Sequence, residues 1–514
     1  MTTRRRLASL LIMTAIWLTG SAHVGSTMVV QDGAAGPYGL RVLVRPPAVI
    51  PGLVDVVIRT TTPNAVPTSV TLQPALWRYG TRGAPAAEPA VVVAGEAGTF
   101  QTQVWIMSSG SYALHIVASG AAGTGTFIVP YTSVATATLG MPDWLGWVLA
   151  ALGVFLVLGL VSVIGGASRE ATLVPGVTPD AVRRRRARLA SGVAFAITAA
   201  VVTGGWQWWN AVETGYRRSL DRSLQVTTDV SRGADRMLTL HVTDSSWRFI
   251  APKDQPRGRA LTPLMPDHGK LMHLFLVQAG GAGAVAHLHP VRRDERTFGT
   301  PLPRVPAGRY WLFADVVHES GATRTMTDTI VVAAGDAAPN VDGDDGIALQ
   351  PPTVNAAPAV LADRATFAIR IEGTPRVGRD VVIRATVTNA DGTPAPLLTW
   401  LGMAGHAMLL RTDGGVFMHL HPRGTSSMAA QERLARREAG DTVMHGAMQP
   451  VASTGHEMPG MPGLHDGVGA RGDVSFPVAF PSAGRYRVFV QVRRDGGAIE
   501  TAVLDVTVPE QGRS

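Results

Sequence analysis

The chain has 514 residues, a length typical of three or four domains rather than one. It has 57 glycines, 35 prolines and only 6% aromatic residues, which favours several small β domains with many turns, and it has no cysteine, which excludes disulfides, thiolate metal sites and cysteine nucleophiles. Much of the net charge of +8 lies beside apolar runs, at residues 4–6 and 183–188. Basic residues in such places orient membrane segments, so nucleic acid is not an expected partner.

The N-terminal part has the layout of an exported protein. Residues 1–22 contain three arginines, a short apolar run and small residues, which predicts a signal peptide. A retained N-terminal anchor is the alternative, and either one would export the domain that comes next. Residues 38–131 alternate strand-like runs with turns, which predicts an exported immunoglobulin-like β-sandwich without candidate functional residues.

Two uncharged runs come after this domain, at residues 144–167 and 189–209, and each is long enough to cross a bilayer as a helix. The segment between them, residues 168–188, is basic and is therefore predicted to be a cytoplasmic loop. Neither run contains an ionisable residue, so the hairpin is interpreted as an anchor rather than an ion pathway. We expect a protein of the cell membrane whose soluble domains face the extracytoplasmic side (periplasmic or extracellular).

The rest of the chain contains two divergent repeats, residues 219–334 and 360–509, joined by a predicted linker at 335–358. Each repeat has a histidine strand, a turn, a His-Leu-His-Pro strand and a closing strand that begins with Ala-Gly-Arg-Tyr. A Tyr at such a corner is typical of immunoglobulin-like domains. The predicted fold class is mainly β, with three immunoglobulin-like β-sandwich domains and a two-helix transmembrane hairpin.

Histidine is concentrated in these repeats: eleven of the 14 histidines lie between residues 268 and 465. Alternate residues of a strand share a face, so each His-x-His pair can present two imidazoles together, and the preceding strand adds a third. Three convergent imidazoles predict a metal site for copper or zinc. The candidate ligands on strands and turns are His268, His273, His287, His289, His318, His406, His419 and His421.

The second repeat has the better-supported site, because a Met/His-rich insertion lies directly after its histidines. The turn at 413–415 predicts a hairpin that brings His406 beside His419 and His421, with ring nitrogens within roughly 4 Å of one another. Thioethers favour Cu(I), so the insertion points to copper. Its candidate ligands are His445, Met448, His456, Met458, Met461 and His465.

Other functions have weaker support in the sequence. No nucleophile elbow, His-Glu-x-x-His helix or P-loop is present, so an enzyme is not expected, and a metallohydrolase is a distant third interpretation. The main alternative is a structural or interaction protein of the cell envelope. In that case the strand histidines would hydrogen-bond within the domains, and duplication would have copied an architectural device.

The His-Leu-His-Pro strand and the closing Gly-x-Tyr strand resemble exported bacterial domains of the YtkA-like group, over residues 265–332 and 365–508. These immunoglobulin-like modules are often found near copper-handling systems and are similar to CopC-like copper-resistance domains. From the histidine and methionine pattern we expect copper (or zinc) homeostasis, sequestration or delivery, with an envelope metalloenzyme or a metal exporter as partner. CopC-like domains place their copper histidines differently, including near the mature N-terminus, so the ligands named above come from the pattern of this sequence instead.

Overall fold

A computed structural model describes residues 28–77, 79–174, 176–231, 236–247, 263–280, 283–334, 342–441 and 472–510. The chain is mainly β, with 45% strand and 18% helix, which confirms the predicted class at that level. Two compact units are present: one contains the residues up to Val134 and from Arg222 onward, and the other is Ala135–Asp221. The predicted signal peptide, residues 1–22, lies outside the described residues.

The N-terminal part of the first unit has two antiparallel sheets, with strand orders β1-β2-β3-β7-β6 and β5-β4-β8-β9. Its apolar residues alternate along the strands, as in Tyr38–Arg45, so each sheet buries one face. The strands are β1 Val29–Ala35, β2 Tyr38–Arg45, β3 Gly52–Thr60, β4 Ser69–Leu76, β5 Glu88–Pro89, β6 Val91–Val92, β7 Thr99–Ile106, β8 Gly110–Gly120 and β9 Gly123–Ser133.

The second unit consists of helices α1 (Asp143–Glu170) and α2 (Ala181–Arg218). Both are long and apolar enough to cross a membrane, and they contain the two predicted spans. Asp180 caps α2 by accepting a hydrogen bond from the backbone N–H of Arg183 at 2.7 Å. The helix therefore begins earlier than predicted, and the arginines assigned to the loop lie in its first two turns.

The first repeat has two antiparallel sheets, with orders β10-β11-β16-β15 and β12-β17-β13-β14-β19, and β18 pairs with β17. Leu240, Phe298, Leu276 and Leu312 belong to one core that both sheets share. The strands are β10 Val226–Val230, β11 Met237–Val242, β12 Leu264–Met265, β13 His273–Gln278, β14 Val285–Leu288, β15 Val291–Arg292, β16 Thr297–Pro301, β17 Gly308–His318, β18 Thr323–Val332 and β19 Gly346–Ala348.

The second repeat has the same plan, with orders β20-β21-β22-β26 and β23-β27-β24-β25, and β28 pairs with β27. Its elements are β20 Ala359–Val360, β21 Thr366–Glu372, β22 Asp380–Thr388, β23 Leu397–Leu398, β24 His406–Arg411, β25 Phe417–Leu420, helix α3 Met428–Glu438, β26 Asp473–Ala479, β27 Gly484–Arg494 and β28 Ile499–Val508. Strands β24 and β25 pair antiparallel, which confirms the predicted histidine hairpin.

The segment predicted as a linker has structure of its own where it is described. Strand β19 pairs antiparallel with β14, so residues 346–348 extend the sheet of the first repeat. Asp345, directly before that strand, has a side chain that is 0% exposed. The acidic, glycine-rich composition of this segment is typical of a linker, yet its backbone finds partners at a sheet edge.

Candidate metal centre

The histidine strands are buried on both faces. On β13, Leu274 and Leu276 point into the core of their own repeat, whereas Phe275 belongs to a second apolar cluster. That cluster also contains Phe417 and Phe489 of the second repeat, so the two histidine-bearing sheets pack face to face. Alternation along a strand then places the histidines of both repeats in the layer between these sheets.

The two hairpins have equivalent registers. Phe275 lies opposite His287 in the first repeat, and Met408 lies opposite His419 in the second. His273 and His406 each begin the preceding strand. The duplication therefore supplies two similar sets of three imidazoles, one from each side of the interface between the repeats.

Seven rings form one continuous cluster, with ring centroids of neighbouring pairs 4.5–6.5 Å apart. The cluster is walled by aromatic side chains. The Phe275 ring stacks on that of His287 at 4.2 Å, and the Trp400 ring meets that of His406 edge-on at 4.7 Å. Its members are His268, His273, His287, His289, His406, His419 and His421.

Two groups of three residues could each hold a metal ion. Within each group, one potential ligand atom from every residue lies within 4.8 Å of the others. The first joins His273, His287 and His419, and the second joins Asp267, His268 and His421. Each group draws on both repeats. The prediction grouped the histidines within each repeat, with His406 beside His419 and His421 in the second. The structure differs from it, because His419 and His421 each belong to a different group and His406 belongs to neither.

Hydrogen bonds orient the rings of the first group. His273 Nδ1 lies 3.1 Å from His287 Nε2, and His273 Nε2 lies 3.1 Å from the carbonyl oxygen of Asp267. A carbonyl can only accept, so Nε2 of His273 carries the proton and its Nδ1 faces His287 with a lone pair. A metal-binding imidazole is typically held in this way, with its other nitrogen donating to an oxygen.

Three buried carboxylates surround the cluster, those of Asp267, Asp315 and Asp345. Asp345 accepts hydrogen bonds from the backbone N–H and the Nδ1 of His289, each at 3.1 Å. Asp315 accepts from the Thr325 hydroxyl, and its Oδ2 lies 3.8 Å from His419 Nδ1. Burial raises the pKa of Asp315 and of Asp345 to about 7 in each case. Desolvation of the charged form outweighs the hydrogen bonds to both carboxylates and the attraction of the Lys270 ammonium for Asp345.

The imidazoles are shifted in the opposite direction. Burial lowers the pKa of His273 to about 4 and the pKa of His268 and of His421 to about 3. At neutral pH these rings are therefore uncharged, which is the form that binds metal ions. Neither ring nitrogen of His406, which is 1% exposed, has a hydrogen-bond partner among the residues that the structure describes.

A cleft with about 340 Å³ of free space, part of it open to solvent, reaches the cluster. Both groups contribute to its lining, through His273, His419, His421 and Asp267, and Lys270 also lines it. The Lys270 ammonium pairs with Asp342 at 2.7 Å. An ion or a small molecule therefore has a route to the buried imidazoles.

One predicted ligand on a strand, His318, lies outside both groups. It is buried at the end of β17, where its ring packs edge-on against Trp247 at 5.8 Å. The insertion candidates His445, Met448, His456, Met458, Met461 and His465 lie outside the described residues.

Sequence reasoning missed four residues of the site: Asp267 and Asp315 were not among the predicted ligands, and Asp345 and Trp400 were not connected with it. Asp345 was assigned to a linker, although the acidic run from Asp342 to Asp345 beside a histidine-rich domain was a usable signal. Trp400, which is fully buried, donates its indole N–H to the carbonyl oxygen of Asp344 at 3.0 Å and contacts His406 and His287. No local sequence pattern ties this tryptophan to the histidines.

Comparisons with known proteins give one informative match. Among solved structures, the chain is similar to a tetra-tandem repeat in the extending region of a large adhesion protein, at 9% identity and a TM-score of 0.15, covering 89% of this chain and 71% of that one. It is also similar to trypsin-activated alpha-2-macroglobulin from Escherichia coli, at 8% identity and a TM-score of 0.18, covering 94% and 24%. Likenesses this slight carry no argument, and no curated protein matches the chain. A family model described as Domain of unknown function (DUF8832) matches residues 219–334 and 361–510, which is more than half of the chain, so the protein belongs to that family.

Proposed function

We propose that this protein is a membrane-anchored metal-binding protein of the cell envelope that holds copper or zinc between its two repeats. The observation that carries the proposal is the meeting of His273, His287 and His419, whose potential ligand nitrogens lie within 4.8 Å of one another at a buried interface. Three imidazoles with a further position open to solvent are a common metal-binding arrangement.

The distances suit a bound ion. Metal–nitrogen bonds of about 2.0–2.1 Å place two ligands of a tetrahedral ion roughly 3.3 Å apart. His273 Nδ1 and His287 Nε2 are already 3.1 Å apart. A ligand nitrogen of His419, which lines the cleft, lies within 4.8 Å of both, so a movement of its ring would complete the set.

The donor set favours copper or zinc over hard cations. Imidazole is a borderline ligand that suits Cu(II) and Zn(II), and the absence of cysteine leaves no thiolate to compete. The Met/His-rich insertion would add thioether donors for Cu(I), so homeostasis, sequestration or delivery to an envelope metalloenzyme or exporter are the roles we propose. The neutral state of the buried imidazoles supports any of these roles, because no proton has to be displaced at neutral pH.

The membrane part of the proposal rests on the apolar helices α1 and α2 and on the signal-like sequence at residues 1–22. We propose that both helices cross the membrane as an anchor and that the soluble domains, of immunoglobulin-like type, face the extracytoplasmic side. The cysteine-free composition is compatible with an envelope location, since no thiol there requires protection from oxidation.

The alternative, an architectural role for the histidines, predicts that their nitrogens are hydrogen-bonded, because buried polar groups without partners are costly. Both nitrogens of His406 and Nε2 of His289 and of His419 have no such partner among the described residues. Unpaired, buried and neutral imidazoles favour metal binding over architecture.

The test uses the full chain in detergent, stripped with a chelator and titrated with Cu(II), Cu(I) and Zn(II). We expect a Kd below about 1 μM for at least one ion, corresponding to about −8 kcal/mol. The double variant His287→Gln with His419→Gln should weaken binding more than about 100-fold, since even removing a group that only supports a ligand costs 10–100-fold. His241→Gln is the matched control, because His241 is exposed on β11 and outside the cluster.

Two results would count against the proposal. If no ion binds more tightly than about 0.1 mM, a weak affinity, metal handling fails as the function. If the double variant binds as many ions as the parent chain, and as tightly, while its metal-free form unfolds at the same temperature, the three-histidine group does not hold an ion.

A further inference from the structure

The turn before β13 holds a histidine in an unusual conformation. Asp267 and Lys270 pair across this turn, and His268 between them has a φ of +54°. That left-handed region is uncommon for residues other than glycine, although asparagine, aspartate and histidine adopt it more often than other side chains. Gly269, the next residue, also has a positive φ of 80°. Glycine would adopt this backbone conformation at a lower energetic cost, yet the chain has a histidine at this position.

The side chain of His268 points into the buried cluster, where it is 1% exposed. Its Nε2 has no hydrogen-bond partner among the described residues and lies 3.6 Å from Asp267 Oδ1. His421 Nε2 approaches the other carboxylate oxygen of Asp267 at 3.8 Å. These separations are too long for hydrogen bonds but match two ligands of one cation.

Asp267 is held in place from another direction. Its Oδ1 accepts a hydrogen bond from the backbone N–H of Ala429 at 2.9 Å, in the first turn of α3, and Ser427 caps the same helix. The carboxylate is 3% exposed, so it cannot turn into solvent. A buried carboxylate with a fixed orientation beside two imidazoles is the donor set of divalent-cation sites with two histidines and one carboxylate.

We propose that Asp267, His268 and His421 form a second cation site, for a borderline divalent ion such as zinc or iron(II), beside the three-histidine site. This inference rests on the proposed function, because it places a second ion next to the first. The two sites are neighbours: the rings of His419 and His421, one from each site, have centroids 4.5 Å apart.

Buried carboxylates can offset the charge of bound cations, which is expensive in a buried site when it is uncompensated. The carboxylates of Asp267, Asp315 and Asp345 are all buried around the cluster and supply −3 when ionised. They can therefore offset most of the +4 that two divalent cations would bring.

The solvent-connected cleft reaches both sites. Asp267 and His421 of the second site line it together with His273 and His419 of the first. A cation therefore has a route to the second site as well as to the first.

The test measures stoichiometry on the full chain in detergent, with Zn(II) counted by elemental analysis and Co(II) as a spectroscopic probe. We expect two equivalents in the parent chain and one in Asp267→Asn and in His268→Gly. The asparagine oxygen still accepts from Ala429, so the helix contact is preserved. Glycine tolerates the positive φ, so the metal-free His268→Gly chain should unfold at an unchanged or higher temperature.

The outcomes separate this inference from the proposed function. The double variant His287→Gln with His419→Gln should lose the first ion and keep the second. If the parent chain binds one ion that this double variant loses and His268→Gly keeps, the second site is refuted and the proposed function stands. If Asp267→Asn and His268→Gly both keep two ions, the second site is again refuted. If the parent chain binds no ion, both proposals fail.

Discussion

At the scale of single residues, the cluster contains two equivalent histidines with different surroundings. His273 and His406 begin the equivalent strands β13 and β24. Both nitrogens of His273 have partners, whereas neither nitrogen of His406 has one among the described residues. A buried polar group without a partner costs about 1–3 kcal/mol, and its replacement by an apolar group of similar volume removes that cost. The two positions therefore form a natural matched pair.

We expect His406→Leu to raise the free energy of unfolding of the metal-free chain by about 1–3 kcal/mol. His273→Leu should lower it, because the change removes the hydrogen bonds of His273 to the Asp267 carbonyl oxygen and to His287 Nε2. Urea unfolding of both variants after chelation measures the difference. Equal destabilisation by both substitutions would mean that His406 has a stabilising contact, and it would remove the strongest sign that the cluster is built for ions.

At the scale of elements, the hairpins β13–β14 and β24–β25 carry the site because both of their faces are buried. Phe417 of β25 stacks on Phe313 of β17 with ring centroids 4.3 Å apart and contacts Phe275 of β13 at 5.3 Å. This contact joins the two repeats just beyond the histidines. The site thus depends on the packing of two sheets, and neither hairpin alone provides either group of ligands.

We expect Phe417→Ala to lower the free energy of unfolding by about 3–5 kcal/mol and also to weaken metal binding, since it loosens the interface that brings His419 to His273. Phe367→Ala is the matched control, because Phe367 is fully buried in the separate core of the second repeat. It should cost similar stability while the folded chain keeps its affinity. Metal titration below the unfolding range of each variant makes the comparison, and equal affinity of both would show that the interface does not shape the site.

The packing of these elements also explains how much of the fold and of the site could be predicted from the sequence. Alternating His-Leu-His at the end of β25 and the turn at Gly414 predicted the hairpin, and the antiparallel pairing of its strands is observed. The apolar residues on both faces of β13 (Leu274 as well as Phe275) are typical of a strand covered on two sides. They could not indicate what covers it, because face-to-face packing of the repeats depends on contacts between residues more than 100 positions apart. The division of His419 and His421 between two groups is a result of that packing alone.

At the scale of the whole molecule, the buried histidines couple folding to pH. In the metal-free chain, burial lowers the pKa of seven histidines below 6.5 and raises that of Asp315 and Asp345 to about 7. Below pH 6.5 the unfolded chain binds protons on histidines that the folded chain leaves neutral, so acid favours unfolding. The two aspartates act in the opposite direction, because between pH 7 and 3.8 the folded chain holds their protons. The histidines outnumber them, so stability falls as pH falls.

We therefore expect the metal-free chain to lose stability steeply between pH 6.5 and about 4, where the folded histidines still resist protonation. Each net proton changes the free energy of unfolding by about 1.4 kcal/mol per pH unit, so even two net protons amount to about 3 kcal/mol per unit. Against a typical total of 5–15 kcal/mol, that slope unfolds the first unit within a few pH units. Urea unfolding at pH 7.5, 6.5 and 5.5 measures how the free energy of unfolding changes with pH, with helices α1 and α2 kept in detergent throughout.

A bound ion should raise the free energy of unfolding, whereas a purely architectural cluster would leave it unchanged when metal is added. Metal present at 100 times its Kd adds about 2.7 kcal/mol to the free energy of unfolding at neutral pH. Because burial keeps the folded imidazoles neutral in mild acid, protons compete little for the site, and the added stability should persist as the pH falls from 7.5 to 5.5. His241→Gln should show the same curves as the parent chain with and without zinc, whereas the double variant at His287 and His419 should gain markedly less from it. A stability that stays flat from pH 7.5 to 5.5 in the metal-free chain would contradict the assignment of neutral, buried histidines on which the site is built.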